Sequence, residues 1–421
     1  MRDLKKRSNM NAKHFTHILP LFLILATALQ SCSSKQNKKS GNSETAQKVD
    51  VAIDKNLQHR LDSFAHAPRP KGLFGVYVYD LTADKPVYGN NERESQPSAS
   101  CMKLLCGVAG LKLLGTNYTL DTKLYTTGKV ANDTLYGDVI FQGGLDPQLK
   151  PEDLKAFAGI LKHKGIKSVK GRYILDVLLH EPVKAEEHWY PWDLTISQFG
   201  LFYRGEDYLK RQFLQAMNAA GFRVAQNQIV MGKKPKGAHC VFLFRRHINK
   251  LIQRMWKNSA NTQSTALLYA IGHKLSPQGN YAQVGVNYLR QFLHERIGMR
   301  DTSLVIHDGC GLCTHNHLSP LALCSIIRYA YHQPALWSYF RRFLAVSGVD
   351  GTLRGELNDP RLKGLIHGKT GTLSHPWGIS TLAGYCKSSN GHTLCFAIMD
   401  CQMSVLDARV LQRNLCRELV K

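Results

Sequence analysis

One serine stands three residues ahead of a lysine in "QPSASCMKLLCGVAG" (96–110), and no other serine of the 421 residues has lysine at that spacing. On a helix, residues i and i+3 share a face, which would set the Ser100 hydroxyl beside the Lys103 amine. An amine that has lost its proton can take the hydroxyl's, and the serine becomes a nucleophile. A serine at a helix start also stands near unpaired backbone N–H groups and the positive end of the dipole, which favour negative charge on a bound substrate. The pair alone is ambiguous, because serine is a preferred helix cap and lysines are common on helices. Two later elements sharpen it: Ser259-Ala260-Asn261 in "MWKNSANTQSTALLYAIG" and Lys369-Thr370-Gly371 in "LIHGKTGTLS". Serine-x-asparagine also occurs at Ser40 and Ser388, but only Ser259 falls between the other two elements in chain order. S-x-x-K, S-x-N and K-T-G in that order form the signature of a serine acyl-transfer site.

These groups need elements to hold them. From Cys101 to Leu114 the chain is apolar or helix-favouring and Gly115 follows as a stop, so a buried helix is expected to start near Ser100. The S-x-N element falls at the turn before a second helical pattern. "GISTLAGYCKSSNGHTLCFAIMDC" is two alternating apolar segments joined around Asn390-Gly391, a hairpin signal that puts K-T-G at or beside a strand of an antiparallel sheet. Glycine there lets a backbone or substrate come close, and the lysine offers a cation to a carboxylate. The long stretch between the first two motifs reads as an inserted domain. Within it, "GILKHKGIKSVKGRYILD" is a helix followed by a strand, which makes that domain mixed α/β.

The first 32 residues stand apart. Lys5, Lys6, Arg7 and Lys13 precede an apolar stretch at 18–29 that is short for a bilayer span and reads as an export signal. Leu29-Gln30-Ser31-Cys32 resembles the lipobox of bacterial lipoproteins, which implies a lipid on Cys32 and a membrane anchor there. Residues 33–48 carry no aromatic or branched apolar side chain and read as a solvated tether, with the folded part starting near Val49.

The formal charge is +24, and removing residues 1–31, with five basic and one acidic side chain, leaves +20. No zinc-finger spacing, aromatic RNA-binding signature or dense basic run accompanies that charge, so nucleic acid is not the expected partner. Attraction to anionic headgroups or an acidic envelope is a simpler use of it, and solubility is another. Of 11 cysteines, ten lie beyond Cys32, mostly in apolar runs, and read as core filler rather than a disulfide framework. "CGLCTHNH" (310–317) offers two thiols and two imidazoles, but one tetrahedral site built from it would need a very tight loop, and no metal is expected.

Taken together, the chain resembles the penicillin-binding D-alanyl-D-alanine carboxypeptidases and endopeptidases of peptidase family S13. Beyond the three motifs, the likeness includes "GDVIFQGGLDPQL" (137–149), "HWYPWDLTISQFG" (188–200), "DGCGLCTHNHLSP" (308–320) and "SGVDGTLRGEL" (347–357). It implies an α/β (α+β) protein: a transpeptidase/β-lactamase-like domain with an antiparallel sheet flanked by helices, a helical lobe, and the inserted mixed domain. The expected divisions are 1–32, 33–48, 49–116, 117–240 for the insertion, and 241–421. The insertion reads as trimmed between about 223 and 238. Cys310 and Cys313 stand where the family usually has serines, a nearly isosteric change. Some relatives hold the amino group of the stem's diamino acid with an aspartate of the Trp-rich segment; here Asp193 directly follows Trp192, one place off that pattern.

The resemblance also implies roles. Ser100 would attack the carbonyl between the last two D-alanines of a peptidoglycan stem, or a cross-link between stems, with Lys103 as base. Its pKa would be lowered by burial and by the charge of Lys369. Ser259 would relay a proton to the leaving amine, Asn261 would bond the substrate amide, and Lys369 with Thr370 would receive the terminal carboxylate. The oxyanion would lie between the N–H groups of Ser100 and Thr372. No cofactor is needed, and β-lactams would acylate the same serine. The rivals are a β-lactamase or esterase of the same fold and a non-catalytic envelope-binding lipoprotein. The expected location is the bacterial envelope, on the periplasmic side.

Overall fold

Strand Leu73–Asp80, near the start of the chain, pairs antiparallel with Thr393–Cys401, near its end, in unbroken register from Leu73 opposite Cys401 to Asp80 opposite Leu394. That pairing closes a six-stranded sheet in the order Ala345–Val346, Ile366–Leu373, Ile379–Lys387, Thr393–Cys401, Leu73–Asp80, Lys85–Asn90, antiparallel throughout. The computed structural model describes residues 52–421. The expected export signal, Cys32, the tether and the start at Val49 lie outside the described residues.

The central strands are buried along nearly their whole length and mostly apolar because both faces are covered. Thr393–Cys401 is buried at every position, and Ile379–Lys387 at all but the last. Helices Lys55–His66 and Val405–Val420 cover one face, where Leu57, Leu61, Leu415 and Leu419 join a core with Val76, Phe396 and Ile398. On the other face, helices Met102–Leu114 and Pro320–Tyr331 pack with Ala397 and Met399. Helices Ile248–Lys257, Asn261–Leu275, Tyr281–Gln291 and Pro334–Phe343 complete the helical side. Met102–Leu114 is central to it: every residue from Met102 to Leu111 is buried, which is why its sequence shows no polar face. It ends at Gly115, as expected.

A second sheet draws its strands from 119–247, in the order Ile229–Met231, Tyr173–Val177, Val139–Gly143, Thr119–Thr126, His239–His247. The first three are parallel and the rest antiparallel. Helices Leu154–His163 and Glu206–Ala219 seal one face, Phe157 and Phe213 closing on Phe141 with ring centroids 5.0 and 5.6 Å away. Buried Asp146 of the "GGLDP" segment accepts the Arg246 Nε hydrogen bond at 2.7 and 2.8 Å on its two oxygens. The return strand His239–His247 runs straight into helix Ile248–Lys257, and so delivers the chain to Ser259.

All ten described cysteines are free, and nine are buried; Cys240 alone among them is exposed. Among the described residues, no helix is long and apolar enough to cross a membrane.

Candidate active site

Ser100 sits in a single 3-10 turn, Ala99–Cys101, and the α-helix begins at Met102, two residues later than the sequence suggested. The difference has a steric origin. Ala99 adopts a left-handed φ of +41°, and the peptide joining it to Ser100 is clamped between two glycines. A Cβ on Gly311 would fall 1.8 Å from the Ala99 oxygen, and one on Gly371 would fall 2.9 Å from the Ser100 nitrogen. Strain of this kind persists where the surroundings over-determine it, as they do here.

Lys103, fully buried one turn along, aims its amine back at this turn. Nζ lies 2.8 Å from Ser100 Oγ, 2.8 Å from Asn261 Oδ1 and 2.5 Å from the Cys310 carbonyl oxygen. The last two partners can only accept. A neutral amine would spend its two hydrogens on them and turn its lone pair to the Ser100 hydroxyl, the arrangement a base requires. Burial pushes the Lys103 pKa down, against an opposing pull from Asp308.

Lys369 approaches from the sheet. Its Nζ donates to Ser259 Oγ at 2.8 Å and to the Thr370 carbonyl at 2.5 Å. Burial first, and then the positive charge of Lys103, bring its pKa from 10.5 to about 7. Both amines of this pair are lowered from the ordinary lysine value, burial being the largest cause for each.

Ser259 holds a left-handed φ of +58°, Ala260 caps helix Asn261–Leu275, and Asn261 is its first residue. This turn places two side chains, two residues apart, on two different lysines. Lys369, Thr370 and Gly371 lie on strand Ile366–Leu373. Its short outer neighbour pairs only with His367 and Gly368, so among the described residues the strand carries no strand partner on that side from Lys369 onward. The Thr370 hydroxyl donates to Thr352 Oγ1 at 2.9 Å, and Thr372, half-buried, pairs with Ser380 on the inner side. Ser100, Lys103, Ser259, Asn261, Lys369 and Thr370 therefore form one linked cluster, with Gly371 against the Ser100 backbone.

Four contributors escaped the sequence reading. The Cys310 carbonyl has no residue-type signature. Asp308 builds the loop that presents it, accepting from the N–H groups of Cys310 (2.9 Å), Gly311 (2.5 Å) and Cys313 (2.9 Å) and from Trp189 Nε1 (2.7 Å). The "DG" at 308–309 was a turn signal that could have pointed to it. Buried Trp256 donates Nε1 to the Lys103 carbonyl at 2.7 Å, and Thr352 joins through Thr370. Asp193, by contrast, is turned inward and caps its own short helix, accepting the Tyr190 N–H at 3.0 Å. The aromatic residues beside it form a rim: Tyr190 stacks on Trp192 at 4.8 Å, and both meet His375 in the loop after the K-T-G strand.

A hydroxyl, a buried amine poised to accept its proton, a second amine held by a hydroxyl, and an open strand margin can together attack a carbonyl and hold a carboxylate-ended substrate. The model of the family described as D-Ala-D-Ala carboxypeptidase 3 (S13) matches residues 57–199 and 202–417. The chain is 24% identical to the D-alanyl-D-alanine carboxypeptidase DacB of Haemophilus influenzae, over 82% of this chain and 91% of that protein. The crystal structure of penicillin binding protein 4 (dacB) from Haemophilus influenzae superposes with a TM-score of 0.71 at 19% identity, covering 87% of this chain and 98% of the other. A penicillin G acylated predatory endopeptidase from Bdellovibrio bacteriovorus superposes with a TM-score of 0.54 at 15% identity, covering 82% and 91%.

Proposed function

The chain belongs to the D-Ala-D-Ala carboxypeptidase 3 (S13) family, and we propose that it is a serine-type D-alanyl-D-alanine carboxypeptidase and endopeptidase that acts on peptidoglycan stems and cross-links and is acylated by β-lactams. The observation that carries this reading is the Lys103 amine, held by two obligate acceptors with its third direction on Ser100 Oγ at 2.8 Å.

In the proposed cycle, Ser100 Oγ adds to the carbonyl of the penultimate D-alanine while its proton passes to Lys103. The oxyanion is received by the N–H groups of Ser100 and Thr372, a contribution of ~3 kcal/mol per donor in comparable sites. As the C–N bond breaks, the proton reaches the leaving amine through Ser259, which Lys369 holds in place. Water then adds to the ester, gives its proton back along the same route, and frees Ser100. Asn261 divides its amide between Lys103 and the substrate backbone. Lys369 and Thr370 bind the terminal carboxylate, and in a cross-link the leaving amine belongs to the neighbouring stem. No step calls on a cofactor.

The second sheet with its helices forms an insertion in the transpeptidase-like fold, its return strand carried through His247. At the other end, Cys32 anchors the exported protein to a membrane of the envelope, and Cys32→Ser should release it into the soluble fraction.

The test is to incubate the purified protein with a stem pentapeptide and with a cross-linked dimer and to identify the products by mass. Release of D-alanine and conversion of dimer to monomers supports the reading. Rapid penicillin hydrolysis with no peptide product would make it a β-lactamase, and inertness toward all three would leave a binding protein.

A further inference from the structure

Beside Asp308, four side chains from two distant segments converge: Glu186 and His188 from the loop after strand Tyr173–Val177, and His307 and Cys313 from the loop before Ser319. We propose that these four residues bind a single zinc-class divalent ion that staples the two loops together. This inference does not rest on the peptidase reading.

Geometry comes first. One ligand atom from each residue lies within 4.8 Å of all the others. Two imidazoles close on one carboxylate oxygen, Glu186 Oε1 standing 2.7 Å from His188 Nδ1 and 3.3 Å from His307 Nδ1. A zinc tetrahedron with bonds of 2.0–2.3 Å has edges of roughly 3.3–3.8 Å. The widest separation needs to close by about 1 Å and the short Glu186–His188 edge to open by roughly half an ångström, changes that small side-chain rotations of the partly buried Glu186, His188 and His307 supply.

Donor chemistry narrows the ion. One thiolate, two imidazoles and one carboxylate suit borderline-soft zinc and disfavour magnesium or calcium, which take oxygen-rich sets. Four protein ligands leave no open position, so the site is structural. The backbone that carries these ligands is already held in place. The Cys313 N–H is fixed on Asp308 and the His307 N–H on Asn316 Oδ1 at 2.7 Å, while Glu186 Oε2 accepts the His188 N–H at 2.9 Å. Glu186 and His307 also line a cavity of about 1090 Å³ that reaches Asp308 and Gly309 and gives an ion its way in. His315 stands on the outer side, its Nδ1 4.0 Å from Cys313 Sγ.

The "CGLCTHNH" stretch does not supply the four ligands by itself, in keeping with its tight spacing. Only Cys313 of that stretch joins the four; Cys310 points its carbonyl at Lys103 instead. An ion here would fix the loop that carries this carbonyl.

The test uses the full-length chain in detergent, stripped of metal by dialysis against a chelator and titrated with Co²⁺ and then Zn²⁺. One equivalent of Co²⁺ should give tetrahedral d–d bands with a thiolate charge-transfer band, displaced by Zn²⁺. Cys313→Ser should abolish the charge-transfer band and weaken Zn²⁺ binding by at least the 10–100-fold that loss of an outer partner alone costs. His188→Gln should do the same to affinity without touching the buried thiol, and Cys240→Ser, which removes the exposed thiol, should change nothing. Absence of stoichiometric binding, or Co²⁺ spectra unaltered in both Cys313→Ser and His188→Gln, overturns the proposal.

Discussion

The backbone of Gly371 lies so close to Ser100 that a single added carbon would stand 2.9 Å from the Ser100 nitrogen. The same carbon would meet the Thr381 hydroxyl of the neighbouring strand and Ala99 Cβ of the Ser100 turn itself. Gly371→Ala should therefore displace the Ser100 turn while leaving the sheet intact. The expected result is a fall of roughly 100-fold in acylation rate by a fluorescent penicillin, since donors at an oxyanion site contribute on that scale. An unchanged circular dichroism spectrum should accompany it. Acylation at the wild-type rate would mean that the close approach has no bearing on the chemistry.

Acylation should follow a bell-shaped pH profile. Lys103 works as a base only when neutral, so the rate rises with pH through its lowered pKa. Lys369 binds a carboxylate only when charged, so the rate for free enzyme falls as pH passes about 7. Glu356, whose charge raises the Lys369 pKa, offers a control away from the reacting atoms. Glu356→Gln should move the alkaline limb to lower pH and leave the acidic limb in place. Stopped-flow acylation from pH 5 to 10 reads both limbs, and an alkaline limb that stays put would contradict the assignment.

The same lysine makes a stability prediction of definite sign. Lys369 has a pKa of about 7 when folded and an ordinary value of 10.5 when unfolded. Between those values the unfolded chain binds the extra proton, so stability rises with pH across that window. Below it, both states hold the proton and the full cost of the buried cation remains. Lys369→Met should then be more stable than wild type at pH 6, by roughly 2–5 kcal/mol, with the gap closing toward pH 10. Denaturant titrations at the two pH values would show a constant gap if this were wrong.

Ser259 trades stability for position. Its left-handed φ of +58° suits glycine, and its hydroxyl holds Lys369 at 2.8 Å. Ser259→Gly should melt at or above the wild-type temperature, relief of strain being worth about 1 kcal/mol. Acylation should nonetheless drop by about 100-fold or more, as for loss of a proton-transfer group. A variant that lost fold and activity together would argue for a purely structural serine.

Much of this site was legible because its groups are side chains in a fixed order. Ser100, Lys103, Ser259, Asn261, Lys369 and Thr370 each belong to a short motif, and the Asn390-Gly391 turn placed the last of these on a sheet. What escaped lacks a residue-type signature. The Cys310 carbonyl is backbone, and the left-handed Ala99 is imposed by glycines more than 200 residues away. Nor did anything local show that Trp256 supports Lys103 from the next helix. The Glu186, His188, His307 and Cys313 cluster was hidden for a related reason: its halves meet only after the second sheet has brought its loop against the helical side.

The central claim is that Ser100 is the nucleophile and Lys103 its base, and the most direct measurement is peptide mapping by mass spectrometry after treatment with benzylpenicillin. A single penicilloyl adduct on the peptide containing Ser100 is expected, absent in Ser100→Ala and slowed by several orders of magnitude in Lys103→Met. An adduct on another residue, or one that survives in Ser100→Ala, would contradict the account.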